Sequence, residues 1–196
     1  MRKLYPTRVV DNGLPNNILN DIIQKYQYSF SYGWKAKTGD SEDQGHWNVP
    51  ICNQNPKSLE DLSSTLYEKC DIVYILWAYL KNCFIGERFL SRVYINGYTY
   101  GTDGYIHRDD RFYDELGNES HYSESIIIYL NKEWKMDWGG ETIIIGEDGE
   151  IEKSIIPKFG RMLIFDSQLE HAARPLSRMC KDLRMVLVFK TMIKQR

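Results

Sequence analysis

Two residues set two positions apart, His107 and Asp109, carry the strongest chemical signal in the chain. On an extended segment, residues i and i+2 project to the same face, so an imidazole and a carboxylate converge on one point. A neutral imidazole, a carboxylate and one further histidine make a facial triad that holds Fe(II) and leaves coordination positions open. The pair by itself is weak evidence, because a short motif recurs by chance. A third ligand and an anchor for a co-substrate must come from elsewhere.

Three other histidines are on offer. His46 sits in a polar, Gly-rich stretch and reads as a surface residue. His121 lies in another polar stretch, DRFYDELGNESHY, and reads as having no role. His171 follows the strand-like run MLIFD and precedes Pro175, so it can face the mouth of a barrel instead of its packed interior. What raises His171 above the others is Arg184, followed by MVLVF, a run apolar on both faces. A guanidinium entering such a sheet needs an anionic partner. A dicarboxylate co-substrate is one, gripped bidentately by the fork that lysine lacks.

The elements that must position these residues come in two blocks. Thr7–Asp11 predicts a short strand ending at the turn pair Asn12-Gly13, and apolar spacing predicts a helix from Asn16 or Asn17 to Tyr26. Tyr28–Trp34 predicts a strand and residues 36–55 an exposed loop, long enough to cover a pocket. Ser58 and Asp61 form a capping-box-like pair opening one long helix. Its stripe of Leu59, Leu62, Leu66, Cys70, Val73, Trp77 and Leu80 spans about six turns before Gly86. From Phe89 onward the pattern is strands: Arg92–Ile95 with Asn96-Gly97 as a turn signal, Ser125–Leu130, Glu141–Ile145, Glu150–Ile156, Arg161–Phe165 and Arg184–Phe189, with residues 110–123 as a polar loop. Short strands after a helical N-terminal third predict an α+β, mainly β fold: a double-sheet jelly roll buttressed by helices. The expected organisation is one domain over residues 1–196, with 1–88 as mainly helical support carrying a strand and a polar loop, and 89–196 as the jelly-roll core.

Composition excludes little and excludes it cheaply. The 196 residues carry a net charge of −2, with 42% hydrophobic and 27% charged residues, ordinary for a globular protein. That balance gives no electrostatic case for nucleic acid or an anionic membrane surface. No apolar run approaches a transmembrane span, and the start, MRKLYPTRVVDNGLP, lacks a signal-peptide core. Four scattered cysteines without a C-x-x-C pair read as reduced thiols of a cytoplasmic protein. Fourteen tyrosines suit pocket walls and buried hydrogen-bond networks.

The order H-x-D, then His, then Arg on the final strand resembles the 2-oxoglutarate- and Fe(II)-dependent oxygenases. Within them, the stretch from Tyr94 to Lys190 resembles the prolyl 4-hydroxylase group. The resemblance rests on Tyr98–Asp109, on IIYLNKEW at Ile127–Trp134, on WGGETII at Trp138–Ile144 and on IIPKFGRMLIFDSQLEHAARPL at Ile155–Leu176. The opening VVDNGLP and its amphipathic helix are similar more loosely. The resemblance implies the double-stranded β-helix form of the jelly roll and makes His107, Asp109 and His171 iron ligands. Arg184 would bind the distal carboxylate of 2-oxoglutarate and Tyr129 would hydrogen-bond the same group. Tyr94 and Tyr98 are both candidates for a further tyrosine lining that pocket. Fe(II), 2-oxoglutarate and O₂ are the implied cofactor and co-substrates, with ascorbate as a supporting reductant and succinate and CO₂ as co-products. The His171–Arg184 spacing implies an enlarged loop, RPLSRMCKDL, whose Arg174, Arg178 and Lys181 read as solvated. Gly139-Gly140 reads as strand geometry and close backbone approach, and the loops 110–123 and 36–55 as candidate lids.

The substrate expectation that follows is a prolyl residue in a peptide or protein, ahead of a free amino acid or other small molecule. An alkylated nucleobase is a third reading, because Arg184-Met-Val-Leu-Val-Phe-Lys190 is faintly similar to a demethylase ending, with Lys190 replacing its second arginine. A non-enzymatic jelly-roll binding protein is the remaining alternative. It is disfavoured because buried His, Asp and Arg are costly to keep without a ligand.

Overall fold

A computed structural model describes residues 6–35, 45–53, 60–102, 104–109, 112–113 and 119–194. In chain order its elements are β1 (Arg8–Val10), α1 (Asn16–Tyr26), β2 (Ser31–Trp34), β3 (His46–Asn53), α2 (Ser63–Lys69) and α3 (Asp71–Leu80), which runs into a π turn over Lys81–Ile85. Then follow β4 (Phe89–Tyr98), β5 (Phe112–Tyr113), β6 (Glu119–Tyr129), a 3₁₀ turn at Met136–Trp138, β7 (Thr142–Ile145), β8 (Ile151–Ile155), β9 (Met162–Asp166), β10 (His171–Ala173) and β11 (Arg184–Lys194). Eight strands form a large sheet in the order β1-β9-β6-β11-β4-β3-β2, with β5 on β6, and three form a small sheet, β10-β7-β8. The strand pairs are antiparallel, as in a jelly roll. No helix among the described residues is long and apolar enough to cross a membrane.

Strand alternation divides the large sheet's two faces between two layers. Leu187 and Phe189 of β11, Ile126 and Ile128 of β6 and Ile95 of β4 pack on the helices, with Leu19, Ile22, Leu66, Val73, Trp77 and Leu80. Val186, Val188, Ile127, Tyr129 and Tyr94 point the other way, toward Ile144 and Ile155 of the small sheet. Runs such as IIIYL (126–130) and MVLVF (185–189) are apolar throughout because both of their faces are covered. Trp77 stacks on Phe189 with ring centres 5.6 Å apart, tying the helical layer to β11.

Several sequence expectations need correction. The long helix is two, broken where Cys70 takes an extended conformation (φ −159°, ψ 91°); its thiol sulfur accepts a 3.0 Å hydrogen bond from Tyr26 Oη. Leu66, Cys70, Val73, Trp77 and Leu80 are still all buried, so the stripe survives the break. Ser58 and Leu59 lie outside the described residues. Asp61 caps Ser63 instead, accepting from its Oγ at 2.8 Å, and also accepts from Leu90 N at 2.8 Å.

The exposed loop at 36–55 is replaced, over residues 46–53, by strand β3. Its Pro50 hides it: Pro50 lies past the residues paired with β2 and at a register irregularity against β4. Asn96-Gly97 is no turn but the interior of β4. A Cβ on Gly97 would meet Leu183 Cδ1 and Phe30 Cε1 at 3.0 Å, so close packing explains the glycine. The polar stretch 110–123 contributes β5 and the first residues of β6, His121 among them. The last strand runs on to Lys194. Strands β1, β2 and β3 all precede residue 89, so the N-terminal part supplies sheet as well as helices.

Candidate active site

His171 is not beyond a strand but on one, β10. The segment carrying His107 lies alongside it as a further extended neighbour. The two histidines exchange backbone hydrogen bonds, His107 N to His171 O at 3.1 Å and His171 N to His107 O at 3.0 Å. Asp109 N donates to Ser167 O at 2.8 Å, which continues the pairing past the H-x-D motif. Backbone pairing therefore sets both imidazoles side by side, with ring centres 4.4 Å apart.

Each ring is also set about its own axis. His107 Nδ1 lies 2.7 Å from Tyr105 O and His171 Nδ1 2.9 Å from Leu169 O. A carbonyl accepts only, so both Nδ1 atoms carry a proton, and in the neutral form of each ring Nε2 holds the free lone pair. Those Nε2 atoms face one carboxylate: His107 Nε2 is 3.6 Å from Asp109 Oδ1 and His171 Nε2 is 3.4 Å from Oδ2. The three ligand atoms lie within 4.8 Å of one another. Two neutral imidazole nitrogens and a carboxylate oxygen on one side of a point are the donor set that suits Fe(II). Burial pushes the His171 imidazolium down to about 4, so the ring is neutral and ligand-competent at pH 7. Burial pushes the Asp109 carboxyl upward, but the Lys190 ammonium beside it works the other way and holds the group well below its ordinary value.

At the other end of the same cavity, Arg184 is 1% exposed. Its Nε donates to Gly140 O at 2.6 Å and its Nη2 to Thr142 Oγ1 at 2.9 Å. The guanidinium lies 5.3 Å from the Tyr98 ring centre and 5.5 Å from that of Tyr129. Tyr129 Oη donates to Thr142 Oγ1 at 2.7 Å, and burial raises its pKa, so it is a neutral phenol. Among the described residues no carboxylate pairs with Arg184. A buried cation without a counter-ion is expensive, and a carboxylate ligand would remove the cost.

The structure brings all seven sequence-predicted residues to one cavity, which His107, Asp109, His171, Arg184, Tyr94 and Tyr98 line and which Tyr129 backs beside Arg184. The two upstream tyrosines separate by place. Tyr98 is paired across from Arg184, whereas Tyr94 is paired with Val188, nearer the metal end, under the Arg92 guanidinium. His46 is corrected from surface to buried: it is 2% exposed and stacks on Tyr98, ring centres 4.7 Å apart. Arg174, Arg178 and Lys181 are exposed as expected, on a loop pinned by buried Leu176 and Cys180. Thr142, Asn96 and Ser125 escape a reading by motif, and Lys190 figures in one only as the residue in place of a demethylase's second arginine. A further signal for Lys190 was its place on the strand, where it continues the inward phase of Arg184, Val186 and Val188.

A family model described as the 2OG-Fe(II) oxygenase superfamily matches residues 94–189, which contain all seven of these residues. No curated protein sequence matches the chain significantly. Among solved structures, a Pseudomonas putida prolyl-4-hydroxylase is similar with a TM-score of 0.58 at 16% identity, covering 96% of this chain and 92% of its own. A Trichoplax adhaerens prolyl hydroxylase, solved with a hypoxia inducible factor peptide fragment, has a TM-score of 0.62 at 19% identity, covering 96% and 83%. The collagen prolyl hydroxylase of Paramecium Bursaria Chlorella virus-1, solved with 2OG, has a TM-score of 0.56 at 16% identity, covering 95% and 96%. At such identities the likeness is one of fold. The family model identifies an enzyme, a dioxygenase that uses Fe(II), 2-oxoglutarate and O₂, and a His-Asp-His set suited to that metal stands in the cavity. Residues 94–189 of this chain, the part that carries the cavity, match the 2OG-Fe(II) oxygenase superfamily.

Proposed function

We propose that His107, Asp109 and His171 hold the Fe(II), that Arg184 with Thr142 and Tyr129 binds the distal carboxylate of 2-oxoglutarate, and that the enzyme hydroxylates a prolyl residue in a peptide or protein. One observation carries the site assignment. A metal-binding donor set and an unneutralised buried guanidinium face the same cavity, as a dicarboxylate that must touch both requires. The bound metal and co-substrates supply one oxygen atom to a substrate C–H bond, while 2-oxoglutarate loses CO₂ to become succinate. The chain's own groups bind and orient. The Nδ1–H bonds to Tyr105 O and Leu169 O keep both Nε2 lone pairs aimed inward. Gly140 O and Thr142 Oγ1 hold the guanidinium fork in place. Val186, Val188 and Ile127 wall the space between with apolar surface, which keeps water from the reacting centre.

The prolyl substrate is supported by the three prolyl hydroxylases with similar folds, one of them solved with a peptide. Four unpaired thiols support a reducing, cytoplasmic setting. The test is succinate formation from 2-oxoglutarate with Fe(II) and ascorbate, in the presence of proline-rich peptides, free proline and methylated oligonucleotides. A peptide that gains the mass of one oxygen atom on proline is the expected result. Turnover stimulated only by free proline, or loss of methyl from the oligonucleotide, replaces the prolyl reading with the corresponding alternative. Absence of any succinate, with no metal bound, removes the site assignment.

A further inference from the structure

Lys190 is 8% exposed and lies on the inward face of β11, two apolar valines away from Arg184. Its ammonium forms an ion pair with Asp109 Oδ2 and donates to Ser125 Oγ at 3.0 Å. Ser125 Oγ in turn donates to the same Oδ2 at 2.5 Å and lies 3.0 Å from Ser167 Oγ. The backbone of Asp109 is held as well, its N–H by Ser167 O and its carbonyl by Gln168 Nε2 at 3.1 Å. Oδ2 therefore carries two strong donors besides lying 3.4 Å from His171 Nε2, whereas Oδ1, 3.6 Å from His107 Nε2, takes neither the lysine nor the serine.

A lysine here is not explained by packing. Its neighbours on the strand, Val186 and Val188, and Ile127 beside them are apolar, and a buried ammonium is costlier than an aliphatic side chain of the same length. Arg92, the cation paired across from Lys190 on β4, lies over the Tyr94 ring at 4.9 Å and does not take this place. Nor does the reading of Arg184 as the co-substrate anchor use a second cation.

Resting on the assignment of Asp109 as a metal ligand, we propose that Lys190 is a positioning residue: with Ser125 it occupies Asp109 Oδ2, leaving Oδ1 to the metal, and cancels the carboxylate's charge. Two neutral imidazoles and a compensated carboxylate leave a divalent ion its full positive charge. Such a centre attracts the anionic chelating end of 2-oxoglutarate more strongly and is itself held less tightly. The two affinities are thus predicted to move in opposite directions when the lysine charge is removed. A purely structural residue would weaken both.

The experiment is Lys190→Met in the full chain, a side chain of similar length without charge. Mn(II) binding to the metal-free protein is read from the electron paramagnetic resonance of free Mn(II), and 2-oxoglutarate binding to the Mn(II)-loaded protein from tryptophan fluorescence. Mn(II) is expected to bind about tenfold tighter and 2-oxoglutarate about tenfold weaker, the scale of a unit charge a few ångströms from the ion in a partly screened site. Lys190→Arg is expected to return both toward wild type. Should Lys190→Met fail to fold, Lys190→Gln, a donor without charge, is judged by the same two affinities. Both affinities falling together, neither moving, or the arginine variant behaving as the uncharged one would each overturn the proposal. If wild type binds neither Mn(II) nor 2-oxoglutarate, the metal-site assignment itself fails, an outcome distinct from the others.

Discussion

His107 and His171 are backbone partners, each donating its N–H to the other's carbonyl, although they lie 64 positions apart in the chain. The imidazoles meet because the main chains are paired, not because the side chains attract one another. Replacing either ring should thus remove the metal site while leaving the pairing intact. His107→Ala is expected to keep the far-ultraviolet circular dichroism and melting behaviour of wild type. Its succinate formation should fall by at least about a hundredfold, the upper end of what losing a supporting group at a metal site costs. Loss of the fold together with activity would contradict this account.

Arg184→Lys keeps the charge and discards the fork. Lysine cannot hold Gly140 O and Thr142 Oγ1 and still present two donors to a carboxylate. The expected outcome is a rise of about tenfold or more in KM for 2-oxoglutarate, corresponding to about one charge-assisted hydrogen bond. Steady-state kinetics with 2-oxoglutarate as the varied component checks it.

Gly140 should be as sensitive as the arginine it touches. Its φ is +73°, and an added Cβ would meet Arg184 Cδ at 3.0 Å and Trp134 Cζ2 at 3.1 Å. Gly140→Ala combines a left-handed backbone cost of about 1 kcal/mol with a push on the guanidinium stem. We expect both a lower urea midpoint and a higher KM for 2-oxoglutarate. A change in stability alone would show that the stem yields without moving the fork.

Trp77→Ala should be the most destabilising of these changes. The ring is fully buried, stacks on Phe189 and donates Nε1–H to Ser63 Oγ at 2.8 Å. A loss of about 3–5 kcal/mol is expected from equilibrium urea unfolding, because a large cavity opens between helix and sheet.

Asp11 predicts the direction of one pH effect. Its hydrogen bonds from Arg161, with those of Lys158, hold its carboxyl well below the usual value against the opposing pull of burial. A carboxylate depressed in the folded state contributes stability that is present above its unfolded value, near pH 4, and is lost as pH falls through the folded one. Asp11→Asn should lower stability at pH 7 by about 1 kcal/mol or less, since the pair is partly exposed. The difference from wild type should vanish in strong acid. A constant difference at all pH values would sink the ion-pair account.

From sequence alone, the H-x-D pair, His171 and Arg184 were legible, because they are charged or metal-binding types placed in or beside runs of apolar residues. Unbroken apolar, β-branched runs likewise exposed the buried strands at Ile126–Leu130 and Met185–Phe189, since a strand covered on both faces carries apolar side chains on both. Periodicity reports only which side chains avoid water. It does not report what they meet, which depends on strand register and on closure of one sheet over another. That is why Lys190 reaches Asp109 across 81 residues, why Thr142 joins Tyr129 to Arg184, and why His46 is buried against Tyr98 and not a surface residue. Strand β3 was hidden for a related reason: a proline and polar neighbours lower its local β signal, and pairing with β4 overrides them. The residue types proposed to do the chemistry were written in the chain, but their partners were chosen by the register of β4, β6, β10 and β11.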